Sequence, residues 1–325
     1  MTLKKTPWMI GGGAVHEPAL GRTLAYVAAN SSQGVLEPGH LKVTAQSTPN
    51  GTLQVAGGAA VITGKYTNQT TQSYVARNEG VESIAIPATA GSSRTDLIIL
   101  RIDDPEYSGS VPADPVTHPY AALERVANVG TGATTASVPY PHIVLARVTI
   151  PANISAITNS MVTDLRKVAV PRTQRYLRVG RGGATAEVLN ATGAAGEQFP
   201  PNLSRNLEIP SWATRMRISV DWGSLASPGS NNSNFFAEFW PRIGSTDFKE
   251  AKGVYDRPAT ADSMRFSVVG GSDIAVPVAM RGTTQSVTMR ATLTGAPGNA
   301  ASRPFVDASA TVRLDVEFYE DAASV

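Results

Sequence analysis

The chain contains no cysteine and only four histidines among its 325 residues. The first absence excludes disulfides, thiolate zinc sites and a cysteine nucleophile together. Stability must then come from packing and from association with other chains. His16, His40, His118 and His142 stand far apart and fit neither a His-Glu-x-x-His nor a His-x-His pattern, so no metal or other cofactor is expected. Charge is scarce too. Charged residues make up 17% and the net charge is +2, with 13 Lys and Arg against 11 Asp and Glu up to residue 172, and 15 against 15 beyond it. No basic cluster is denser than Arg215 with Arg217 or Arg178 with Arg181, which argues against nucleic acid as a partner. No apolar run reaches the length of a membrane span, and MTLKKTPWMIGGG lacks the apolar segment and cleavage site of a signal peptide. Synthesis and folding in a cytoplasm, without membrane insertion, are expected.

What is present points to two β-rich domains. The length exceeds what one hydrophobic core usually serves, and 29 glycines and 22 prolines are spread as turns between short strands would need. One helix is expected near the start, in HEPALGRTLAYVAANSSQG. There Pro18 suits a first turn and Leu20, Leu24 and Val27 fall at helical spacing, so the helix should lie as a lid on a sheet. Alternation then takes over in HLKVTA, LQVAGGAAVI, SYVARN, ESIAIPA, DLIILRID, AALERVANVG and PHIVLARVTI. The prolines and Gly109 of DDPEYSGSVPADPVTHP predict an exposed loop without regular structure. A boundary falls in AVPRTQR, dividing 1–172 from 173–325. In the second part RMRISVDW, NFFAEFWPRI, SMRFSVVGG, IAVPVAMR, QSVTMRATL and ATVRLDVEFYE alternate without intervening helices, which predicts a β-sandwich of jelly-roll type. The fold class is therefore mainly β, with one short helix.

Catalytic patterns are lacking. There is no Gly-x-Ser-x-Gly, and the clusters Gly11 to Gly13, Gly57 with Gly58, and VGRGGA lack the context of a phosphate loop. Asp221, Glu238, Asp247 and Glu250 would form an acid and base pair only if folding brought them together. No enzymatic activity is expected. The aromatic residues Trp212, Trp222, Trp240, Phe235, Phe236, Phe239 and Tyr255 offer two readings, a sandwich core and a stacking face for sugars. The expected glycan contacts are whichever of Phe236 and Trp240 points outward, with Asn231, Asn232 and Asn234 of the adjoining loop.

The run GSSRTDLIILRIDD at 91–104 concentrates three aspartates, Asp96, Asp103 and Asp104. Adjacent residues on a strand point to opposite faces, so Asp103 and Asp104 cannot act across one bond. Leu97 and Ile99 share one face and Ile98, Leu100 and Ile102 the other, the mark of a central strand buried on both sides. Arg94 and Asp96 share a face and are expected to fix the strand's entry, with Asp103 and Asp104 marking its exit.

The ordered series GGGAVHEPALGRTLAYVAAN, GVLEPGHLKVTAQSTPNGTLQVAGGAAVITG, SSRTDLIILRIDD, PHIVLARVTIPANISAIT and TDLR at 163–166 resembles the N-terminal domain of minor tail proteins of long-tailed bacteriophages that infect actinobacteria. The resemblance covers roughly residues 10 to 170; IPSWATRMRISVDWG looks like the start of a β-sandwich appended to such proteins. It implies a virion component at the tail tip or baseplate, present in several copies, a homotrimer on symmetry grounds, with other tail proteins as neighbours. The N-terminal domain would attach to the tail and the C-terminal sandwich would face the host's cell-wall glycan. A tail-borne glycan-degrading enzyme and a pure scaffold anchoring another fibre protein are the alternatives.

Overall fold

The computed structural model describes residues 15–67, 69–108, 119–201, 203–229, 234–258, 261–294 and 303–324. The chain forms two compact units, Met1–Pro171 with Asp321–Val325, and Arg172–Glu320. The C-terminal residues, expected with the sandwich, thus return to the first unit. Ala322 is buried in its core, and its carbonyl accepts a hydrogen bond from Arg166 Nη2 at 3.3 Å.

The first unit opens with helix α1 (Pro18–Ala28), followed by β1 (Gly34–Val35), β2 (Val43–Ala45), β3 (Thr52–Val55), β4 (Gly58–Thr63), β5 (Ser73–Asn78) and β6 (Glu82–Ala85). After them come β7 (Arg94–Ile102), helix α2 (Pro105–Ser108), β8 (Ala121–Val126), β9 (His142–Ile150) and β10 (Val162–Asp164). Three antiparallel sheets result, in the orders β1-β4-β5, β2-β3-β6 and β10-β9-β7-β8. Strand β7 is central, as its two apolar faces require. Ile98, Leu100 and Ile102 enter the main core with Leu53, Ile62 and Val148, while Leu97 and Ile99 pack with Ala136 on the opposite side.

Two expectations change here. The Pro-rich stretch after β7 is not wholly irregular, because the Asp104 carboxylate accepts the Glu106 N–H at 3.0 Å and caps the single helical turn α2. Helix α1 forms where expected, with Pro18 in its first turn, where its missing N–H costs nothing. Of the three apolar residues at helical spacing, however, Leu20 is half-buried while Leu24 and Val27 are 46% and 67% exposed. Its one charged residue adds the anchor. Arg22 donates to Gln72 Oε1 (2.6 Å) and Glu106 Oε2 (2.7 Å), pairs with Asp104 (3.2 Å), and lies over the rings of Tyr74 and Tyr107.

The second unit comprises β11 (Thr173–Arg181), β12 (Glu187–Val188), β13 (Glu197–Gln198), β14 (Ser204–Glu208), β15 (Arg215–Ser227) and β16 (Phe235–Ile243). It continues through β17 (Thr246–Asp247), β18 (Gly253–Arg257), β19 (Met264–Ala275), β20 (Thr284–Thr294), β21 (Phe305–Val306) and β22 (Thr311–Tyr319). Its eight long strands make two antiparallel sheets, β11-β22-β15-β19 and β14-β20-β16-β18. Numbered among themselves, these strands run in the orders 1-8-3-6 and 2-7-4-5, the double Greek key of a jelly roll. Alternation explains the layering. Met216, Ile218, Val220 and Trp222 from one sheet meet Phe235, Ala237, Phe239, Val287 and Met289 from the other in a continuous core. Trp222 lies 5.4 Å from Phe239 between ring centroids, and its indole N–H reaches the Phe199 carbonyl at 3.3 Å. The segment IAVPVAMR departs from the strand expectation. β19 ends at Ala275, and Val278–Met280 turn as a 3₁₀ helix just after Pro277, which has no N–H for a ladder.

Candidate functional site

The three aspartates of the 91–104 run are held in structural roles. Asp96 is fully buried between Arg94 Nε (3.0 and 2.9 Å) and Arg125 Nη1 (3.1 Å), and also accepts the Asn128 backbone N–H at 3.1 Å. A carboxylate caged by two guanidinium groups has no lone pair left for a substrate proton. Asp104 accepts the Tyr74 hydroxyl at 2.6 Å besides its contacts with Arg22 and the α2 turn. Burial and that carboxylate together push the Tyr74 phenol well above its ordinary value. The backbone of Asp103 pairs with the Tyr120 carbonyl.

The aromatic candidates of the second unit separate by face. On β16 the odd-numbered residues Phe235, Ala237 and Phe239 point into the core, and Phe236, Glu238, Trp240 and Arg242 point outward. Trp240 is outward yet 0% exposed, so it cannot stack on a sugar. A strap of small residues covers it: a side chain on Gly196, which sits at φ 57°, would strike the indole at 2.6 Å. The strap is tied down through its carbonyls. Lys249 Nζ donates to Ala194 O (2.7 Å), Arg290 Nη2 to Ala195 O and Gly196 O (2.6 and 2.7 Å), and Thr292 Oγ1 to Gly193 O (2.8 Å). The indole N–H in turn donates to Asp247 Oδ1 at 2.8 Å. Burial raises the Asp247 carboxyl, but hydrogen bonds from Arg242 and Trp240 outweigh it and hold the group below the usual carboxylate range. Sequence reasoning missed this cover, although GAAG at 193–196 carries its signal, since only near-absent side chains allow so close an approach.

Phe236 remains available. It is half-buried, opposite Asp256 on β18 and Thr294 on β20, whose side chains therefore flank its ring on the same face. Neither Asp256 nor Thr294 has a side-chain partner among the described residues, and Asn234 is exposed two positions before the ring. Asn231 and Asn232 lie outside the described residues. The arrangement is one aromatic face bordered by a carboxylate, a hydroxyl and an amide. Such a face suits a small polyol with an apolar side. Asp256 and Thr294 were not foreseen, because only strand register brings them beside Phe236.

The acidic residues considered for hydrolysis do not gather. Asp221 stands on β15, in the other sheet from Glu238, while Glu238 is paired with Lys252 at 2.6 Å and Asp247 with Arg242 at 2.7 Å. Among the described residues no group of three or more His, Asp or Glu is placed to hold a metal ion. No described helix is long and apolar enough to cross a membrane.

No protein-family model matches the chain, and no curated protein matches it. Solved structures do align over most of its length. A subviral particle of infectious bursal disease virus VP2 is 13% identical, with 94% of this chain and 82% of that chain covered and a TM-score of 0.26. The T13 particle of the same virus is 10% identical, with 93% and 81% covered and a TM-score of 0.25. A likeness with scores so low carries no argument for function, and the fold class rests on the strand order itself.

Proposed function

We propose that the chain is a structural protein of a virus particle, at the tail tip of a long-tailed actinobacteriophage, and that its jelly roll recognises host cell-wall glycan through Phe236 and Asn234. Asp256 and Thr294 complete that face. The observation that carries the reading is the ordered N-terminal series. Its segments supply α1 and strands β1 to β4, β7, β9 and most of β10, so that each of the three sheets of the first unit draws on it, and Arg166 of TDLR ties Asp164 to the carbonyls of Pro38, His40 and Ala322. The jelly roll adds an architecture used for shell building and for sugar binding alike, so the site, not the fold, must choose between them. In this reading the protein is not an enzyme and needs no cofactor. It assembles as a homotrimer beside other tail proteins, and sugar contacts of about millimolar strength add up across the copies.

Three measurements test it. Antibodies to the full chain should label the tail tip of purified particles, and the purified full chain should compete with particles for adsorption to host cells. Labelling on the head or its absence from particles would overturn the virion assignment. Tip labelling without competition would remove glycan recognition and leave the scaffold, and release of reducing sugar from cell walls would favour the enzyme.

A further inference from the structure

At one side of the jelly roll the two sheets end in β11 and β14. Among the described residues β11 pairs only with β22, and β14 only with β20, so each leaves one edge of backbone N–H and C=O groups unpaired. Both edges carry a charge where alternation calls for an apolar side chain. On β11, Tyr176, Arg178 and Gly180 face the core, opposite buried Val316, Leu314 and Val312. On β14, Arg205 takes the core-facing position opposite buried Val287.

Arg178 and Arg205 line one shallow slot, together with Leu203, Met289 and Leu314. Leu203 leans on the bare Cα of Gly180, where a side chain would strike it at 2.2 Å. Among the described residues neither guanidinium reaches a carboxylate. Arg178 donates to its neighbour's carbonyl, Leu177 O, and lies over the Tyr176 ring, while Arg205 donates to Ser204 O. The pattern is different on the outer face of the β11 sheet, where Arg175, Arg215, Arg217 and Arg313 all pair with Asp or Glu. Inward-pointing charge is a known guard against edge-to-edge pairing. That role does not call for two like charges beside one apolar slot, where they repel and have no counter-ion among the described residues. The edge also presents Leu177 and Val179, 48% and 59% exposed.

We propose that β11 takes an extended acidic segment of a partner protein as an added strand, with a carboxylate of that segment held between Arg178 and Arg205. Charge complementarity selects an acid, and the open backbone edge selects a peptide over a sugar. The proposal stands on the strand edge alone and does not depend on glycan binding at Phe236.

The test uses the full chain and a labelled nonapeptide of alternating threonine and valine with a central aspartate, followed by fluorescence anisotropy. Binding should weaken about tenfold or more when asparagine replaces the aspartate or when Arg178→Ala and Arg205→Ala are combined, the loss expected for a charge-assisted pair. It should largely survive Arg178→Lys with Arg205→Lys, and vanish when alternate peptide amides are N-methylated. Unchanged thermal unfolding of each variant separates lost binding from lost folding. No binding of the aspartate peptide, equal binding of the aspartate and asparagine peptides, or tolerance of N-methylation would overturn the proposal. Preference for an oligouronide over the peptide would do the same, by giving the slot to an anionic glycan.

Discussion

Asp96 in the first unit and Trp222 in the second both sit fully buried on a strand with neighbours on either side, yet opposite means hold them. Asp96 is fixed by two arginines and a backbone N–H; Trp222 is fixed by rings and by the continuity of the core around it. The first unit repeats its device at Arg166 and Arg22. Three small sheets give limited apolar contact to choose one arrangement among several, and a charged pin chooses sharply, since misplacement leaves a buried charge unpaired. The jelly roll buries two charged side chains as well, Arg257, which donates to the Pro228 and Asp262 carbonyls, and Glu320, paired with Arg172, but beside them it has one continuous apolar core. Ring packing stabilises strongly but accepts substitutes of similar volume.

The comparison can be broken at its strongest points first. Leu100→Asp should prevent the first unit from folding, read as loss of soluble protein with native circular dichroism. Asp96→Ala should cost about 3–5 kcal/mol, because the half-buried Arg94 and Arg125 would be left facing each other without the buried carboxylate they share. Trp222→Ala should cost a similar 3–5 kcal/mol through the cavity it leaves, whereas Trp222→Phe should be milder. Denaturant unfolding measures all three. Tryptophan emission tells the units apart, since Trp212, Trp222 and Trp240 lie in the second unit and only Trp8 precedes them.

Acid offers an intermediate effect. Hydrogen bonds from Arg175 hold the Asp315 carboxyl below its ordinary value, and those from Tyr319 and Arg215 do so for Asp273 against the opposing effect of burial. A group whose folded pKa is depressed contributes stability above its unfolded value and loses it as pH falls through the folded one. The second unit should therefore hold its melting temperature from neutral pH down to about 4, then lose stability as these groups protonate. Arg22→Ala should matter less, about 1–3 kcal/mol, and should show first as faster amide exchange in α1. Asp103→Asn should fall within about 0.5 kcal/mol of the parent and leave host binding unchanged.

Much of the fold was legible because alternation is a direct print of layering. β7 reads as a central strand from its own apolar faces, and the sandwich reads from strands spaced without helices. Local chemistry was readable as well, since Arg94 and Asp96 do share a face and meet. What could not be read depended on register and on cover. Trp240 lies on the outward face that alternation gives it, but a strap some forty-five residues earlier in the chain hides it. Asp256 and Thr294 reach Phe236 only through pairing across two ladders. In α1 the helix fell where its spacing put it, but Leu24 and Val27 of that spacing are exposed, and an arginine among tyrosines and carboxylates, which the apolar spacing does not mark, anchors it.

The most direct test of glycan recognition is co-sedimentation of the full chain with purified host cell-wall sacculi. The wild type should pellet with the walls, Phe236→Ala should weaken this about tenfold, and Trp240→Phe should leave it intact. Sedimentation that ignores Phe236, or that fails for the wild type, would contradict the assignment of that face.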